Sequence, residues 1–469
     1  MVLFVLWGLM SNTLSEHPLL TAPIGKTMFI LATPNAIAMV LSMMTSVTEA
    51  YFVGLHGVIA LAGLALVFPM FMMMGMLSAG AIGGAISGLM ARHAGSNDIE
   101  GAEAIAFHAI LVALGMSTFF AILFLTLGGQ IFTFLGAQEA VLEQALSYSQ
   151  IFFTGVVLVW LANTLGSILR GLGEMKATAA WTVAGSLVQV VTGIIFISGA
   201  GLMQAMGIKG AAYAALLGMS VSTLGQAYHL MRANRKIRLR FTGIAIDVKY
   251  FKAILSIGLT ASIGSLSMIG TSIAVSAFAA RLGPEILAGY GIGARLEFIM
   301  IPIIFGIGAA CINMIGVHYG AGKIDRAHRI GWTGGLASAV VTGGVGLFFA
   351  LFPALLSNAF TDNQLARDAA RLYLQVVAPF YAFFGLGLCL YFASQGTGRV
   401  FWAAFGNVVR FFIVLTSGLI LYQYDAVTTE GLFQLIAFGM VVYGMIIAGS
   451  VWLGAWRRGL PIAAKNDTI

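Results

Sequence analysis

The chain is a succession of long apolar runs separated by brief polar breaks. About 20 apolar residues cross a bilayer as a helix. Runs of that kind fall near residues 27–52, 58–90, 104–128, 141–169, 176–199, 209–231, 250–280, 286–317, 328–352, 368–395, 400–423 and 431–456, which predicts twelve spans. Period-2 alternation is not sustained anywhere, so a transmembrane β-barrel is excluded. The pattern predicts an all-α polytopic membrane protein.

Composition sharpens this reading. Of 469 residues, 59% are hydrophobic and 9% are Asp, Glu, Lys or Arg, with a mean hydropathy of +0.96. Soluble domains carry about 25% charged residues, so a soluble fold is excluded, and so is disorder. Cys311 and Cys389 lie inside apolar runs and read as small packing residues, not as a disulfide framework or a metal site.

The formal net charge of +7 raises the question of nucleic acid. Its distribution answers it. Of the 24 Lys and Arg residues, Lys209, Arg281, Arg367 and Arg371 lie on one set of connections, and Arg295 and Arg410 lie within spans. The other 18 lie on the alternate connections and termini, with a cluster at 232–252. Basic residues concentrate on the cytoplasmic side of membrane proteins. The expectation is a multi-pass protein of the cytoplasmic (inner) membrane with both termini in the cytoplasm, and no nucleic-acid partner. Met1 to Met10 is apolar without a preceding basic stretch and reads as an interfacial segment, not a signal peptide.

The chain also repeats itself at an offset of about 225. His93-Ala94-Gly95 through Ala102 matches His318-Tyr319-Gly320 through Ala327. Gly171-Leu172-Gly173 matches Gly396-Thr397-Gly398, Leu61-Ala62-Gly63 matches Leu287-Ala288-Gly289, and Gly210 and Gly218 match Gly431 and Gly439. Each half holds six predicted spans, an even number, so the repeats are parallel. The expected organisation is a six-helix bundle over 1–231, a basic linker over 232–249, a second six-helix bundle over 250–457 and a tail over 458–469. Two similar bundles flanking a seam suit alternating access, in which one bundle rocks against the other around a midplane site.

Several motifs resemble those of the multidrug and toxic compound extrusion (MATE) family of secondary transporters, from about residue 20 to 456. They are Glu49-Ala-Tyr-Phe-Val-Gly54, Leu61-Ala-Gly63, Arg170-Gly-Leu-Gly173, Gly207-Ile-Lys-Gly-Ala-Ala212, the segment Gly316 to Ala327, and Gln395-Gly-Thr-Gly398. The resemblance implies a V-shaped, twelve-helix antiporter that exports cationic amphipathic compounds in exchange for protons or sodium ions. It places the family's first-helix acid at Glu49 and a family proline at Pro34. Two departures stand out. The fifth-helix pattern Asn-x-x-x-Asp of related prokaryotic members reads Gln189-x-x-x-Gly193 here, without the second carboxylate. The acids that a sodium-coupled branch carries on helices seven and ten are absent around Gly264–Ser265 and Phe384–Gly385. Proton coupling is therefore expected, with sodium as the alternative.

The residues support the same site. A carboxylate inside a span marks function by default. A carboxyl withdrawn from water holds its proton more readily, and an arriving cation favours its ionised form. One acid with two exclusive occupants is the minimal chemistry of a proton/cation antiporter, and Glu49 is the expected ion-coupling residue. Pro34 removes a backbone hydrogen bond and permits a kink. Asn35, Tyr51, Asn163, Gln189 and Met73 are the expected cavity-lining side chains, Met because its flexible thioether adapts to varied ligands. Glu297 is a secondary acidic candidate, and a neutralising Glu297–Arg410 pair is the reading expected for it. Gly80, Gly84 and Gly88 are spaced for close helix packing.

Other chemistries find no support in the sequence. Gly25-Lys26-Thr27 mimics the end of a phosphate loop, but Leu20 stands where a glycine is needed. No HExxH or GxSxG motif occurs, so no enzyme activity is expected. No metal site, nucleotide partner or cofactor is expected beyond the coupling ion, and a monomer suffices. The rival readings are a lipid-linked precursor flippase, which wants a strongly cationic cavity, and a polytopic membrane enzyme.

Overall fold

A computed structural model describes residues 18–199, 204–232, 237–240, 243–424 and 428–457. The interfacial segment expected at Met1 to Met10, part of the 232–249 linker and the 458–469 tail lie outside the described residues. Among the described residues all regular structure is helical. The first half comprises α1 (Ile24–Gly54), α2 (Val58–Gly75), α3 (Ile82–Gly95), α4 (Ile99–Phe134), α5 (Glu139–Thr154), α6 (Val156–Gly171), α7 (Met175–Ser198) and α8 (Ile208–Met231). The second comprises α9 (Val248–Leu282), α10 (Pro284–Gly320), α11 (Ile324–Leu351), α12 (Pro353–Phe360), α13 (Gln364–Val376), α14 (Tyr381–Thr397), α15 (Phe401–Gln423) and α16 (Thr429–Trp452).

Ten helical stretches are long and apolar enough to cross a membrane, or eleven when α5 and α6, bent by 52° at Gly155, count as one span. The sixth predicted span, 209–231, forms α8 but falls outside that set, so the count of twelve is approximate. The reason lies in its composition. The buried side of α8 is built from small residues, among them Gly210, Ala214, Gly218, Ser222 and Gly225, which admit α7 at close range instead of supplying apolar bulk.

Local signals set the helix ends. Gly57 (φ 115°) and Gly283 (φ 132°) occupy the same repeat position, and each takes the left-handed backbone that starts the second span of its half. The fourth span of each half is also broken at a matching place, by Gly155 between α5 and α6 and by a 3-10 turn, Ala378–Phe380, around Pro379. Asp98 caps α4, accepting from the Gly101 N–H at 2.9 Å and pairing with His93 Nδ1 at 2.8 Å. The Gly101 N–H first, and His93 beside it, hold the Asp98 carboxyl below the usual carboxylate range.

Each half has its own apolar core, and each core borrows from the other half. Met28 and Ala32 of α1 pack into the second-half core. Ile254 and Ile257 of α9, at the corresponding repeat positions, pack into the first-half core. The two bundles therefore interlock through the first turns of their leading helices.

The seam runs mainly between α10 and the pair α1 and α3. Gly306 faces Ala36, and Gly316 faces Ala91. Gly84 meets the Gln395 side chain and Gly88 meets the backbone at Gln395–Gly396, so both of these spaced glycines serve contact between halves. Gly80 sits in a π-type turn, Met76–Ala81, that links α2 to α3, and has open space beside it. Polar contacts close the same end of the seam. Gln395 Nε2 donates to Gly80 O at 3.1 Å, Arg92 Nη1 to Thr397 O at 3.3 Å, and Asn313 Nδ2 to Gly171 O at 2.7 Å.

Candidate functional site

Glu49 lies in the last third of α1, where the helix passes α7. Its carboxylate is held from two sides. Tyr148 on α5 donates its hydroxyl to Oε1 at 3.0 Å, and Gln189 on α7 donates Nε2 to Oε2 at 2.9 Å. Both donors are neutral, and no salt bridge to Glu49 forms among the described residues. Its charge, when present, is matched by dipoles alone. In the protonated form the carboxyl becomes a donor, and the Tyr148 oxygen or the Gln189 carbonyl is at hand to accept. The arrangement therefore gives the carboxyl hydrogen-bond partners in either protonation state and leaves any negative charge without a protein counter-ion.

A small, partly open pocket adjoins this group, lined in part by Thr45, Thr48, Glu49, Phe52, Gln189 and Gly193. Thr45 precedes Glu49 by one turn and shares its face. At Gly193, where related sequences place the second carboxylate, an added Cβ would meet only Ala214 and Ile197 at ordinary contact distance, 3.7 and 3.9 Å. The missing acid leaves room that the cavity occupies.

Of the expected lining residues, the structure brings Gln189 to Glu49 and places the others elsewhere. Tyr51 is 64% exposed and packs edge-on against Phe52, because two residues along a helix turn a side chain to another face. Asn35 is buried and donates to Met175 Sδ at 2.9 Å. Asn163 donates to Ser78 Oγ at 2.7 Å, beside the π-type turn. Met73 packs at the edge of the first-half core. Pro34 stands inside α1, which runs as one helix from Ile24 to Gly54. The expected Glu297–Arg410 pair is not made. Glu297 instead accepts from the Tyr373 hydroxyl. The reason is proximity: Tyr373 on α13 lies against α10, which carries Glu297, whereas Arg410 sits on α15 and acts on Glu297 only through its charge.

Tyr148 is the partner that sequence reasoning missed. Nothing near Glu49 in the chain announces it, but the internal repeat does. Gly63 packs on Gln144 and Ala145, and Gly289 packs on Ala369 and Ala370, which fixes the register of α5 on α13. That register makes Tyr148 and Tyr373 the same repeat position, and each donates to a glutamate.

A protein-family profile described as MatE matches residues 34–195 and 261–420. The chain belongs to the MatE family. It is a transporter, not an enzyme, embedded in a membrane through many spans, and its relatives are named for moving small molecules. A FAD transporter of Shewanella oneidensis is 25% identical over 323 residues, 67% of this chain and 69% of that one. The probable multidrug resistance protein NorM of Thermotoga maritima is 23% identical over 380 residues, 80% and 81% of the two chains. Among solved structures, a MATE protein in a straight conformation superposes with a TM-score of 0.86 at 25% identity, covering 96% of this chain and 100% of that one. A MOP superfamily transporter from Pyrococcus furiosus gives 0.87 at 24% identity, covering 95% and 99%, a likeness of fold. The all-helical MatE architecture read from the sequence is the one found.

Proposed function

We propose that this MatE protein is a secondary antiporter that exports cationic amphipathic compounds in exchange for protons, with Glu49 as the coupling group. The observation that carries the reading is a lone carboxylate beside a cavity, held by two neutral donors and matched by no protein cation. A group so held takes either a proton or a cationic ligand to balance its charge, and the two exclude each other. That exclusion is the coupling. Relatives named multidrug resistance and multidrug export proteins agree with the substrate class. The skew of Lys and Arg across the connections supports an inner-membrane protein with both termini cytoplasmic. Two bundles per chain, each the moving partner of the other, make a monomer the working unit.

The test is uptake of a cationic fluorescent dye into inverted proteoliposomes under an imposed pH gradient, in sodium-free buffer. Wild-type protein accumulates dye, and Glu49→Gln, which keeps the size and one acceptor oxygen but cannot ionise, does not. Transport that appears only with a sodium gradient would replace the proton by sodium. The hydroxyls of Thr45 and Thr48 near Glu49 would then be the first ligands to examine.

A further inference from the structure

The second half buries a cation that its own structure does not satisfy. Arg410 lies near the middle of α15, 95% withdrawn from solvent by its 5% exposure. Its Nε and Nη1 find no hydrogen-bond partner. Two other guanidinium groups are better bonded, although Arg92 also leaves its Nη2 without a partner. Arg92 donates to Gly88 O and Thr397 O, and Arg170 to Ser167 Oγ. Around Arg410 are the rings of Phe384 and Tyr443, 5.7 and 6.0 Å from the guanidinium carbon, which cushion the charge but accept no directed bond. Glu297 attracts it across a gap, yet is engaged by Tyr373.

We propose that Arg410 is the anchor of an anion subsite, which takes the phosphate or carboxylate of an amphipathic ligand, with Glu297 held aside by Tyr373. Guanidinium nitrogens bind such groups in paired, charge-assisted hydrogen bonds. A buried guanidinium with two unused donors gains most from an incoming anion, because the unmet donors already carry their desolvation penalty. The two halves then present opposite charges, a carboxylate at Glu49 and a guanidinium at Arg410. A zwitterionic compound suits both, and an anionic amphipath suits the second alone. The meaning for transport rests on the transporter reading above, whereas binding is measurable without transport, so the two fail separately.

The experiment uses riboflavin and its 5′-phosphate, which share a fluorescent ring and differ by one anionic group. Flavin fluorescence reports binding to the full-length protein in nanodiscs of phosphatidylcholine. The phosphate ester binds on the order of tenfold tighter than riboflavin, the worth of a hydrogen bond to a charged group. Arg410→Gln erases that preference. Glu297→Gln, which keeps an acceptor for Tyr373 but removes the competing charge, widens it. Tyr373→Phe frees Glu297 to reach Arg410 and narrows it. These last two variants keep the test sharp if Arg410→Gln fails to fold. Equal affinity for the two flavins in wild type overturns the proposal. So does a preference that Glu297→Gln leaves unchanged or lowers, since a merely structural Glu297–Arg410 attraction would produce that result. Discs containing phosphatidylglycerol assign the source: a preference lost there marks a lipid phosphate as the natural occupant, and a preference retained marks a soluble amphipath.

Discussion

The two halves solve one problem in two ways. In the first, the tyrosine of the repeat, Tyr148, donates to a glutamate on the leading helix, and a neutral Gln189 completes the hold. In the second, the matching Tyr373 donates to a glutamate on the following helix, and the nearby polar group is the cation Arg410. A shared scaffold of helix, tyrosine and acid thus carries opposite surroundings. Duplication preserved the packing register, because a shifted helix would lose its close glycine contacts. It left the charged groups free to diverge, because polar side chains in a membrane interior need only find some partner.

The comparison breaks first, and most widely, at the acids. Glu49→Gln should reduce proton-driven dye accumulation to the level of empty liposomes, while Glu297→Gln should leave it standing. Equal loss in both would mean that the halves share the coupling. Next come the tyrosines. Tyr148→Phe removes a hydrogen bond to a carboxylate, worth about 1.5–3 kcal/mol when the acceptor is charged. It should slow coupled transport about tenfold or more, by initial rates, and Tyr373→Phe should not.

A smaller effect is expected at the seam. Gly88 and Asn313 occupy the same repeat position and face the opposite half at Gln395–Gly396 and at Gly171. Gly88→Val drives a side chain into that backbone and should lower stability by about 1–3 kcal/mol. The loss would appear as earlier thermal unfolding in detergent, with dye transport falling alongside. The smallest effect lies in the turns. Asp98 caps α4, whereas Lys323, its counterpart before α11, makes no side-chain cap bond. Asp98→Ala should cost about 1 kcal/mol. The Asp98 carboxyl is held below its unfolded value, so its contribution is present above the ordinary carboxylate range and fades as pH falls through the lower folded value. Thermal unfolding of wild type and Asp98→Ala should therefore converge in acid.

Much of the fold was legible from the chain. The apolar runs marked the spans, and the repeat marked two halves. Glu49 stood out because a carboxylate within lipid needs a reason to be there. Even α8, whose small residues carry little hydropathy, was found near 209–231. The borrowing of Met28 and Ile254 between cores was hidden altogether.

What the tertiary structure alone decided is which way each side chain faces. In a soluble helix the apolar stripe announces the buried side. In a membrane the tails outside are as apolar as the core within, so the stripe disappears. Phe29 and Ile37 stand 72% and 54% exposed on α1, while Met28 and Ala38 beside them are buried, and no periodicity separates the pairs. The same blindness left Tyr148 out of the candidate site. Sequence by itself determined that this is a duplicated, membrane-spanning transporter with one conspicuous acid. Only the packing of α7 onto α1 and the reach of Tyr148 from α5 decided which two donors hold that acid, because partners 99 and 140 residues away meet through the fold and not through the chain.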